Sequence, residues 1–323
     1  MQYQSLGNTG IEVSRLAFGA GPIPALMTGD DDGRQNQILQ HAIDSGINWI
    51  DTAATYGNGN SETSIGRALQ KLGDPSHVQL ATKVRLFPED LADMAGHIRR
   101  SVESSLKRLQ RPKVTLLQLH NSVTNNRGDE ATSITPDDVL HNGVLAAMQQ
   151  LQREGLVDFL GLTGIGHPHA LREVINSGEF QTIQIPFNLV NPSAAFDFPE
   201  SFVETSYGNV VADCVRNGMG VFAIRVYAGG ALLGAEPAKH TYTTKFFPLD
   251  LYRRDCAKAA ELAGRLTHGL SIQSAAIRFV TGNPQFTSAI VGFSETDHID
   301  EAISACEAGP LPDSLVQEIL PDL

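Results

Sequence analysis

The sequence has few of the features that mark secreted, membrane-spanning or metal-binding proteins. It contains three cysteines in 323 residues, and Cys214, Cys256 and Cys306 are too far apart for a Cys-x-x-Cys metal or redox motif. No stretch approaches the roughly 18 consecutive apolar residues of a membrane-spanning helix, and the residues after Met1 do not resemble a signal peptide. We therefore expect free thiols, no metal site, no membrane partner and a cytoplasmic location.

Positive charge is also scarce. The chain has 24 Lys and Arg against 36 Asp and Glu, which gives a formal net charge of −12. Such a chain has little affinity for nucleic acid, so a small-molecule partner is expected instead. Because no Pro-, Gly- or Ser-rich linker divides the sequence, residues 1–323 are predicted to form a single domain. The pattern leaves the oligomeric state open.

Short apolar runs alternate with helical segments along the whole chain. The predicted strands are 14–19, 47–51, 78–83, 114–120, 157–163, 182–185, 220–226 and 287–291. The predicted helices are 34–45, 61–72, 91–109, 139–154, 168–177, 207–217, 251–266 and 296–306. This succession predicts an α/β fold, a closed (β/α)8 (TIM) barrel, because a doubly wound sheet would have fewer strands and a change of direction.

A β-hairpin is predicted before the barrel, and long loops within it. Residues 3–6 and 11–13 flank a glycine-bearing turn at 7–10, and the hairpin is expected to plug the lower mouth of the barrel. Three loops exceed the ordinary length of βα connections and are expected to carry substrate contacts: 121–135, 191–206 and 234–249.

Four polar residues stand at or just after the ends of consecutive predicted strands: Asp51, Tyr56, Lys83 and His120. The carboxyl ends of barrel strands converge on one mouth, so these side chains are expected to meet. A lysine ammonium beside a tyrosine favours the phenolate form, which lets Tyr56 exchange a proton with a substrate oxygen. Asp51 would keep Lys83 charged, and His120 would position the oxygen. A proton-transfer group without its own electron source implies a hydride-carrying cofactor.

Each of these residues also has a structural explanation when it is taken alone. An aspartate after a strand often caps a turn, a histidine there is often half-buried and satisfied, and a buried lysine is often part of an ion pair. The set is more informative than its members. Its segments resemble the signature of the aldo-keto reductase superfamily: 46–50 (GINWI), 51–57 (DTAATYG), 61–62 (SE), 66–69 (GRAL), 81–83 (ATK) and 117–120 (LQLH).

The resemblance implies an NAD(P)-dependent oxidoreductase with Tyr56 as general acid or base, supported by the other three residues. It also implies a nicotinamide pocket after the fifth and sixth strands. There, Thr163 keeps a hydroxyl, Gly164 stands where the family has an amide side chain, and Gln184 matches. Phe187 replaces the usual tyrosine and is expected to offer a flat apolar face to the nicotinamide ring.

The resemblance places the pyrophosphate at the turn after the seventh strand. Arg225 stands at the usual serine position of this turn, where it can pair with pyrophosphate, pair with an acidic or polyhydroxylated substrate, or form a buried structural ion pair. The remaining expected cofactor contacts are Gly19, Ala20, Asp51, Val226, Tyr227, Ala228, Gly292, Ser294, His298 and Glu301.

The last βα unit favours NAD as the cofactor, with NADP as the alternative. Segment 291–303 has no Lys or Arg to hold a 2′-phosphate, but it has four acids, Glu295, Asp297, Asp300 and Glu301. Asp297 or Glu301 can accept hydrogen bonds from a free ribose. Favourable charge at a helix N-terminus explains the same acids equally well.

Within the superfamily, the Thr163-Gly164 pair, Arg225 and the last unit resemble the branch of L-galactose and D-threo-aldose 1-dehydrogenases. The branch implies oxidation of an aldose at C1 to a lactone, with a carbonyl or sugar substrate. Two alternatives remain open: an NADPH-dependent reductase of small aldehydes and ketones, and a regulatory subunit that binds the cofactor.

Overall fold

A small antiparallel hairpin closes the lower mouth of the molecule. A computed structural model describes residues 1–199, 202, 204–242, 247–266 and 269–320. Strands β1 (Tyr3–Ser5) and β2 (Glu12–Ser14) pair with Tyr3 opposite Ser14. Leu6, between them, is fully buried in a cluster with Trp49 and Phe222 inside the barrel. The predicted hairpin and its role as a plug are confirmed.

Eight parallel strands form the barrel behind this plug. They are β3 (Leu16–Gly19), β4 (Trp49–Asp51), β5 (Gln79–Val84), β6 (Val114–Leu119), β7 (Val157–Thr163), β8 (Thr182–Pro186), β9 (Gly220–Ile224) and β10 (Ser288–Val291). Neighbours pair in chain order, and β10 pairs with β3 to close the sheet. The predicted (β/α)8 barrel is confirmed.

The helices surround the barrel. They are α1 (Asp32–Asp44), α2 (Asn60–Lys71), α3 (Met94–Leu109), α4 (Pro136–Leu140), α5 (Val144–Arg153), α6 (Pro168–Asn176), α7 (Val210–Arg216), α8 (Leu249–Arg265), α9 (Ile272–Gly282), α10 (Thr296–Glu307) and α11 (Asp313–Ile319). Their buried apolar faces and the outward residues of the strands form one continuous core. No helix in the described part of the chain is long and apolar enough to cross a membrane.

Several predicted boundaries were wrong for local reasons. The predicted helix 139–154 is two helices, because Gly143 adopts a φ of 117° between α4 and α5. The predicted strand 220–226 stops at Ile224, since Arg225 has a φ of 57°. The predicted strand 14–19 is divided, with Ser14 in the hairpin and Leu16 at the start of the barrel strand.

Two helices were not predicted. Helix α9 begins after Ser271, whose side chain accepts a hydrogen bond from the backbone amide of Ser274. Its buried residues include Ala275, Ala276 and Ile277 in succession, so the segment lacks the alternation of polar and apolar residues that marks a half-buried helix. Helix α11 is only seven residues long.

Candidate active site

A cleft of about 990 Å³ opens at the carboxyl ends of the barrel strands. Asp51, Tyr56 and His120 line it, and Lys83 lies beneath them. These residues belong to β4, β5 and the segments that follow β4 and β6, which are adjacent in the barrel. The structure therefore brings together the four residues that the strand ends predicted.

Lys83 is the centre of this group. Its ammonium is 2.5 Å from Asp51 Oδ2, 2.9 Å from the Thr52 carbonyl oxygen and 3.3 Å from the Tyr56 hydroxyl. The side chain is only 1% exposed. Burial alone would lower the pKa of Lys83, but its attraction to Asp51 and Tyr56 outweighs this and raises the pKa above its ordinary value. The ammonium therefore stays charged beside the phenol.

Asp51 is held by two amides in addition to Lys83. Gln118 and Gln184 both donate to its Oδ1 atom, Gln118 over 3.2 Å. Since Oδ2 faces Lys83, both carboxylate oxygens are occupied and the carboxylate has one orientation. Gln118 was not predicted to belong to the site. Its position near the carboxyl end of β6, two residues before His120, is the signal that could have found it.

The Tyr56 loop makes a tight turn that requires glycine. Gly57 has a φ of 56°, and a Cβ atom there would lie 2.9 Å from the Thr28 side chain. After this turn, the buried Glu62 on α2 accepts hydrogen bonds from Thr82, next to Lys83, and from Arg108 on α3. Helix α2 is thus fastened to the strand that carries the lysine.

His120 directly follows β6, and its ring meets the Tyr56 ring edge-on at a centroid distance of 5.8 Å. Burial, together with the positive charges of Arg85 and Lys83, holds the pKa of His120 well below its ordinary value. The ring is therefore a neutral imidazole at neutral pH. Its Nδ1 atom is buried without a partner among the described residues, which leaves Nε2 as the nitrogen that can reach a substrate oxygen.

The predicted nicotinamide contacts divide into two groups. Thr163 and Gln184 line the cleft, and Thr163 Oγ1 is buried with no partner in the described structure. Gly164 lies outside the cleft lining, where a Cβ atom would come within 2.9 Å of Ile183. Phe187 is fully buried and stacks on Phe286 at 4.3 Å, so it does not present its face to the cleft.

Ile224 on the neighbouring strand β9 lines the cleft instead. Ile224 is an apolar residue one position before Arg225. The sequence predicted a ligand contact at Arg225 and none at Ile224. Ala20, another expected contact, is fully buried and donates its backbone amide to the Asp51 carbonyl oxygen. Gly19 lies at the cleft, as expected.

The turn after β9 bends sharply around Arg225. Val226 and Tyr227 line the cleft with it, whereas Ala228 is fully buried and has a φ of 51°. The Arg225 guanidinium donates to the Ala228 carbonyl oxygen, lies 3.8 Å from the centre of the Phe247 ring and is 3.7 Å from Asp255.

Burial shifts the pKa values of Arg225 and of its partner Asp255 on α8. It raises the pKa of Asp255 to about 6 and lowers the pKa of Arg225, which remains charged as an arginine does. Arg225 therefore has an aromatic and an acidic contact while it still borders the cleft. The structure contains the ion pair, and the contact of Arg225 with a ligand stays a prediction.

The last βα unit forms the far end of the cleft. Gly292, Ser294 and His298 line it, whereas Glu301 is exposed outside the lining. Arg34 on α1 donates to the Ser294 carbonyl oxygen over 2.7 Å and forms an ion pair with Glu295. The count of cations along the sequence missed Arg34, because it comes from a distant helix.

Further polar residues line the cleft beside the tetrad of Asp51, Tyr56, Lys83 and His120, among them Arg85 and Ser122. Arg85 follows Lys83 by two positions, and Ser122 follows His120 by two. Both follow the carboxyl ends of β5 and β6, so the convergence of barrel strand ends was the signal for them. Among the described residues, no group of three or more His, Cys, Asp or Glu side chains is arranged to hold a metal ion.

Comparison with known proteins identifies the group to which this geometry belongs. A sequence model described as the Aldo/keto reductase family matches residues 15–320. The holo form of a solved aldo-keto reductase from Bacillus halodurans has a TM-score of 0.74 and 21% sequence identity, covering 99% of this chain and 96% of that chain. At that identity the structural likeness supports the fold.

Curated relatives include an enzyme and a channel subunit. L-galactose dehydrogenase of Arabidopsis thaliana is 27% identical over 310 residues, which are 94% of this chain and 88% of that protein. A probable voltage-gated potassium channel subunit beta of the same plant is 26% identical over 327 residues, covering 96% of this chain and 93% of that protein.

Proposed function

The chain belongs to the aldo/keto reductase family, whose members are oxidoreductases that use nicotinamide cofactors on small carbonyl compounds, and from that premise we propose that it oxidises the C1 hydroxyl of an aldose to a lactone. The observation that carries the proposal is the position of the Lys83 ammonium, which touches both Asp51 and the Tyr56 hydroxyl. That contact equips Tyr56 to accept a proton.

The residues of the chain perform the proton half of the reaction. Lys83, charged and 3.3 Å from the Tyr56 oxygen, stabilises the phenolate that takes the proton of the C1 hydroxyl. Neutral His120 donates from Nε2 to the same substrate oxygen and fixes its position. When bound, the nicotinamide supplies the acceptor for the hydride that leaves C1 as the C=O bond forms.

The described residues fit a nicotinamide cofactor. Thr163 offers a buried hydroxyl that has no partner among the described residues, which costs free energy unless a ligand or water satisfies it. Gln184 borders the same part of the cleft and would hold the carboxamide with Thr163. Arg225 and the turn that follows it would hold the pyrophosphate, and Ser294 and His298 the adenosine end.

We favour NAD over NADP as the cofactor. Arg34 donates to the Ser294 carbonyl oxygen, but its charge is already paired with Glu295. A 2′-phosphate brought to this place would approach the Glu295 carboxylate as well as the guanidinium. Asp297 and Glu301 follow Ser294 outside the cleft lining, and their negative charge opposes a 2′-phosphate dianion nearby.

One observation favours a second candidate function. Because exposed ion pairs are weak, a phosphate can displace Glu295 from Arg34, and the cleft would then suit an NADPH-dependent reductase of small aldehydes and ketones. The likeness to a channel beta subunit suggests a cofactor-binding regulatory role. The complete tetrad, with Lys83 held between Asp51 and Tyr56, favours turnover over that role.

Turnover with purified protein separates these possibilities. The absorbance of reduced nicotinamide is followed with NAD and NADP against a panel of aldoses, and with NADH and NADPH against a panel of aldehydes. We expect the fastest reaction with NAD and an aldose. A reaction confined to NADPH and aldehydes would replace the proposed activity by the reductase. Tight cofactor binding with no turnover in any combination would replace it by the regulatory role.

A further inference from the structure

The cation of the turn after β9 has an acid as a neighbour. Arg225 lines the cleft, and its guanidinium lies 3.7 Å from the Oδ2 atom of Asp255 on α8. Asp255 is 5% exposed and does not belong to the cleft lining. An anion that binds Arg225 from the cleft therefore has to share the guanidinium with a buried carboxylate.

Other contacts hold the Arg225 side chain in place. Its guanidinium donates to the Ala228 carbonyl oxygen over 3.1 Å and lies 3.8 Å from the centre of the Phe247 ring. It also packs on the turn itself, since a Cβ atom on Gly229 would lie 3.0 Å from Arg225 Nη1. At 3.7 Å, the contact with Asp255 is longer than a hydrogen bond. Asp255 therefore acts on Arg225 through charge rather than by orienting it.

Several titratable groups surround Asp255, and they come from the turn after β9, the loop before α7 and α8 itself. They are Arg225, Glu204, Tyr207, Arg254, Cys256 and Lys258. The buried Glu204 carboxylate already pairs with Arg254 over 3.3 Å and with Lys258 over 2.9 Å. Burial raises the pKa values of Tyr207 and Cys256, so both are neutral at neutral pH.

Asp255 differs from these neighbours in the pH at which it ionises. Burial raises the pKa of Asp255 to about 6, although the positive charge of Arg225 opposes that rise. Its carboxylate is therefore charged at about pH 8 and largely protonated at about pH 5. The share of the Arg225 charge that is left for a ligand in the cleft changes over the same range.

Building on the cofactor binding proposed above, we propose that Asp255 limits the affinity of the protein for the dinucleotide, because it competes with the cofactor pyrophosphate for Arg225. Arginine pairs strongly with phosphate oxygens, and a carboxylate at the same guanidinium weakens that attraction. The competition works in both directions, since coupling between two bound groups is reciprocal. Bound pyrophosphate therefore favours the protonated form of Asp255.

The variant Asp255→Asn tests this competition, because it removes the charge and keeps the shape of the side chain. We would measure Kd for NAD by fluorescence titration, and Kd for ADP-ribose by calorimetry, at about pH 8. The variant is expected to bind both ligands about fivefold more tightly than wild-type protein. Asp255→Glu keeps the charge and should bind like wild-type protein.

A matched control removes the same charge from the exposed side of the same helix. Asp250 on α8 is 87% exposed and lies 3.6 Å from Arg253. Asp250→Asn changes the net charge as Asp255→Asn does, but it leaves the surroundings of Arg225 intact. Its Kd values should equal those of wild-type protein. Thermal melting checks that each variant folds.

The pH dependence of binding gives a second readout. At about pH 8 the ionised Asp255 competes for Arg225, whereas below about pH 6 it is protonated and resembles asparagine. The Kd of wild-type protein divided by that of Asp255→Asn should therefore fall from about five at pH 8 to about one at pH 5. His120 and His298 also line the cleft, but both proteins contain them, so their effects cancel. A ratio that does not change with pH would contradict the proposal.

Arg225→Met shows whether Arg225 transmits the effect. Without the guanidinium there is nothing to compete for, so adding Asp255→Asn to this variant should change Kd less than about twofold. The proposal is overturned if Asp255→Asn does not tighten binding at pH 8, or if the tightening persists in the Arg225→Met background. If Asp255→Asn does not fold, the pH dependence of wild-type protein is compared with that of Arg225→Met, which should lack the gain in affinity at low pH.

These binding measurements separate the inference from the proposed aldose oxidation. Tighter binding by Asp255→Asn in a protein that oxidises no aldose would support the competition and contradict the proposed activity. Oxidation of an aldose with NAD, together with a Kd that is indifferent to Asp255, would support the activity and contradict the competition.

Discussion

Two ion pairs at opposite ends of the cleft have similar contacts and very different surroundings. The Lys83 and Asp51 side chains are 1% and 4% exposed, and two glutamines complete the hydrogen bonding of the carboxylate. Arg34 and Glu295, at the far end, are 43% and 56% exposed. A buried pair cannot lose one member cheaply, whereas water readily replaces either member of an exposed pair. We therefore expect the inner pair to fix the chemistry and the outer pair to tune the cofactor.

Removal of the inner cation should have the largest effect on stability. Lys83→Met leaves the Asp51 carboxylate buried without a counter-ion, and we expect a loss of about 3–5 kcal/mol in the free energy of unfolding, measured by denaturant titration. Lys113→Met is the matched control. The Lys113 ammonium is 2.8 Å from Asp158, but its side chain is 55% exposed, so the loss should be about 1 kcal/mol or less. Equal losses would show that burial does not distinguish the two kinds of pair.

His120, at the same end of the cleft as Lys83 and Asp51, should make the free energy of unfolding depend on pH. Its pKa is lower in the folded protein than in the unfolded chain, so the unfolded chain binds the extra proton. The contribution of His120 is therefore fully present above about pH 6.5 and declines as the pH falls below that value.

The comparison of wild-type protein with His120→Asn isolates this contribution. The unfolding free energy of the wild-type protein minus that of the variant should fall by up to about 1.4 kcal/mol for each pH unit below about pH 6.5. Asp255 opposes this trend, because a raised carboxyl pKa favours the folded state as the pH falls. Since Asp255 is present in both proteins, its effect cancels. Parallel pH profiles would mean that His120 titrates normally in the fold.

Substitution in the outer pair, Arg34 and Glu295, should have the smallest effect. It should change the choice of cofactor rather than the free energy of unfolding. Glu295→Gln releases the charge of Arg34 next to Ser294, and we expect kcat/KM with NADP to rise about tenfold relative to NAD. Unfolding free energy should change by about 0.5 kcal/mol or less, since the pair is exposed. The double variant Arg34→Ala, Glu295→Gln should lose the gain. A wild-type preference for NADP that Arg34→Ala abolishes would reverse our assignment of the cofactor.

The inner and outer ends of the cleft also differ in how far the sequence could predict them. The barrel followed from the alternation of apolar strands and helices, and the tetrad followed from the rule that strand ends converge. Both are consequences of local pattern and of a symmetrical fold. Arg34 could not be found this way, because its contact with Ser294 joins the first and last helical units across about 260 residues.

The roles of buried aromatic residues were also beyond what the sequence could predict. Phe187 looked suited to a ring-stacking role, but a phenylalanine after a strand serves a core equally well, and here it packs on Phe279 and Phe286. Which side of the sheet such a residue occupies depends on side chains from α9, a helix that the sequence pattern did not reveal. Ile224, by contrast, was overlooked although it reaches the cleft.

The central claim is that Tyr56, activated by Lys83, moves the proton, and the variant Tyr56→Phe tests it most directly. It removes one oxygen atom and leaves the ring against His120 unchanged in shape. Cofactor binding by fluorescence titration and thermal melting should match the wild-type protein, while kcat falls about 100-fold or more. A variant that binds the cofactor normally and turns over at the wild-type rate would contradict the account.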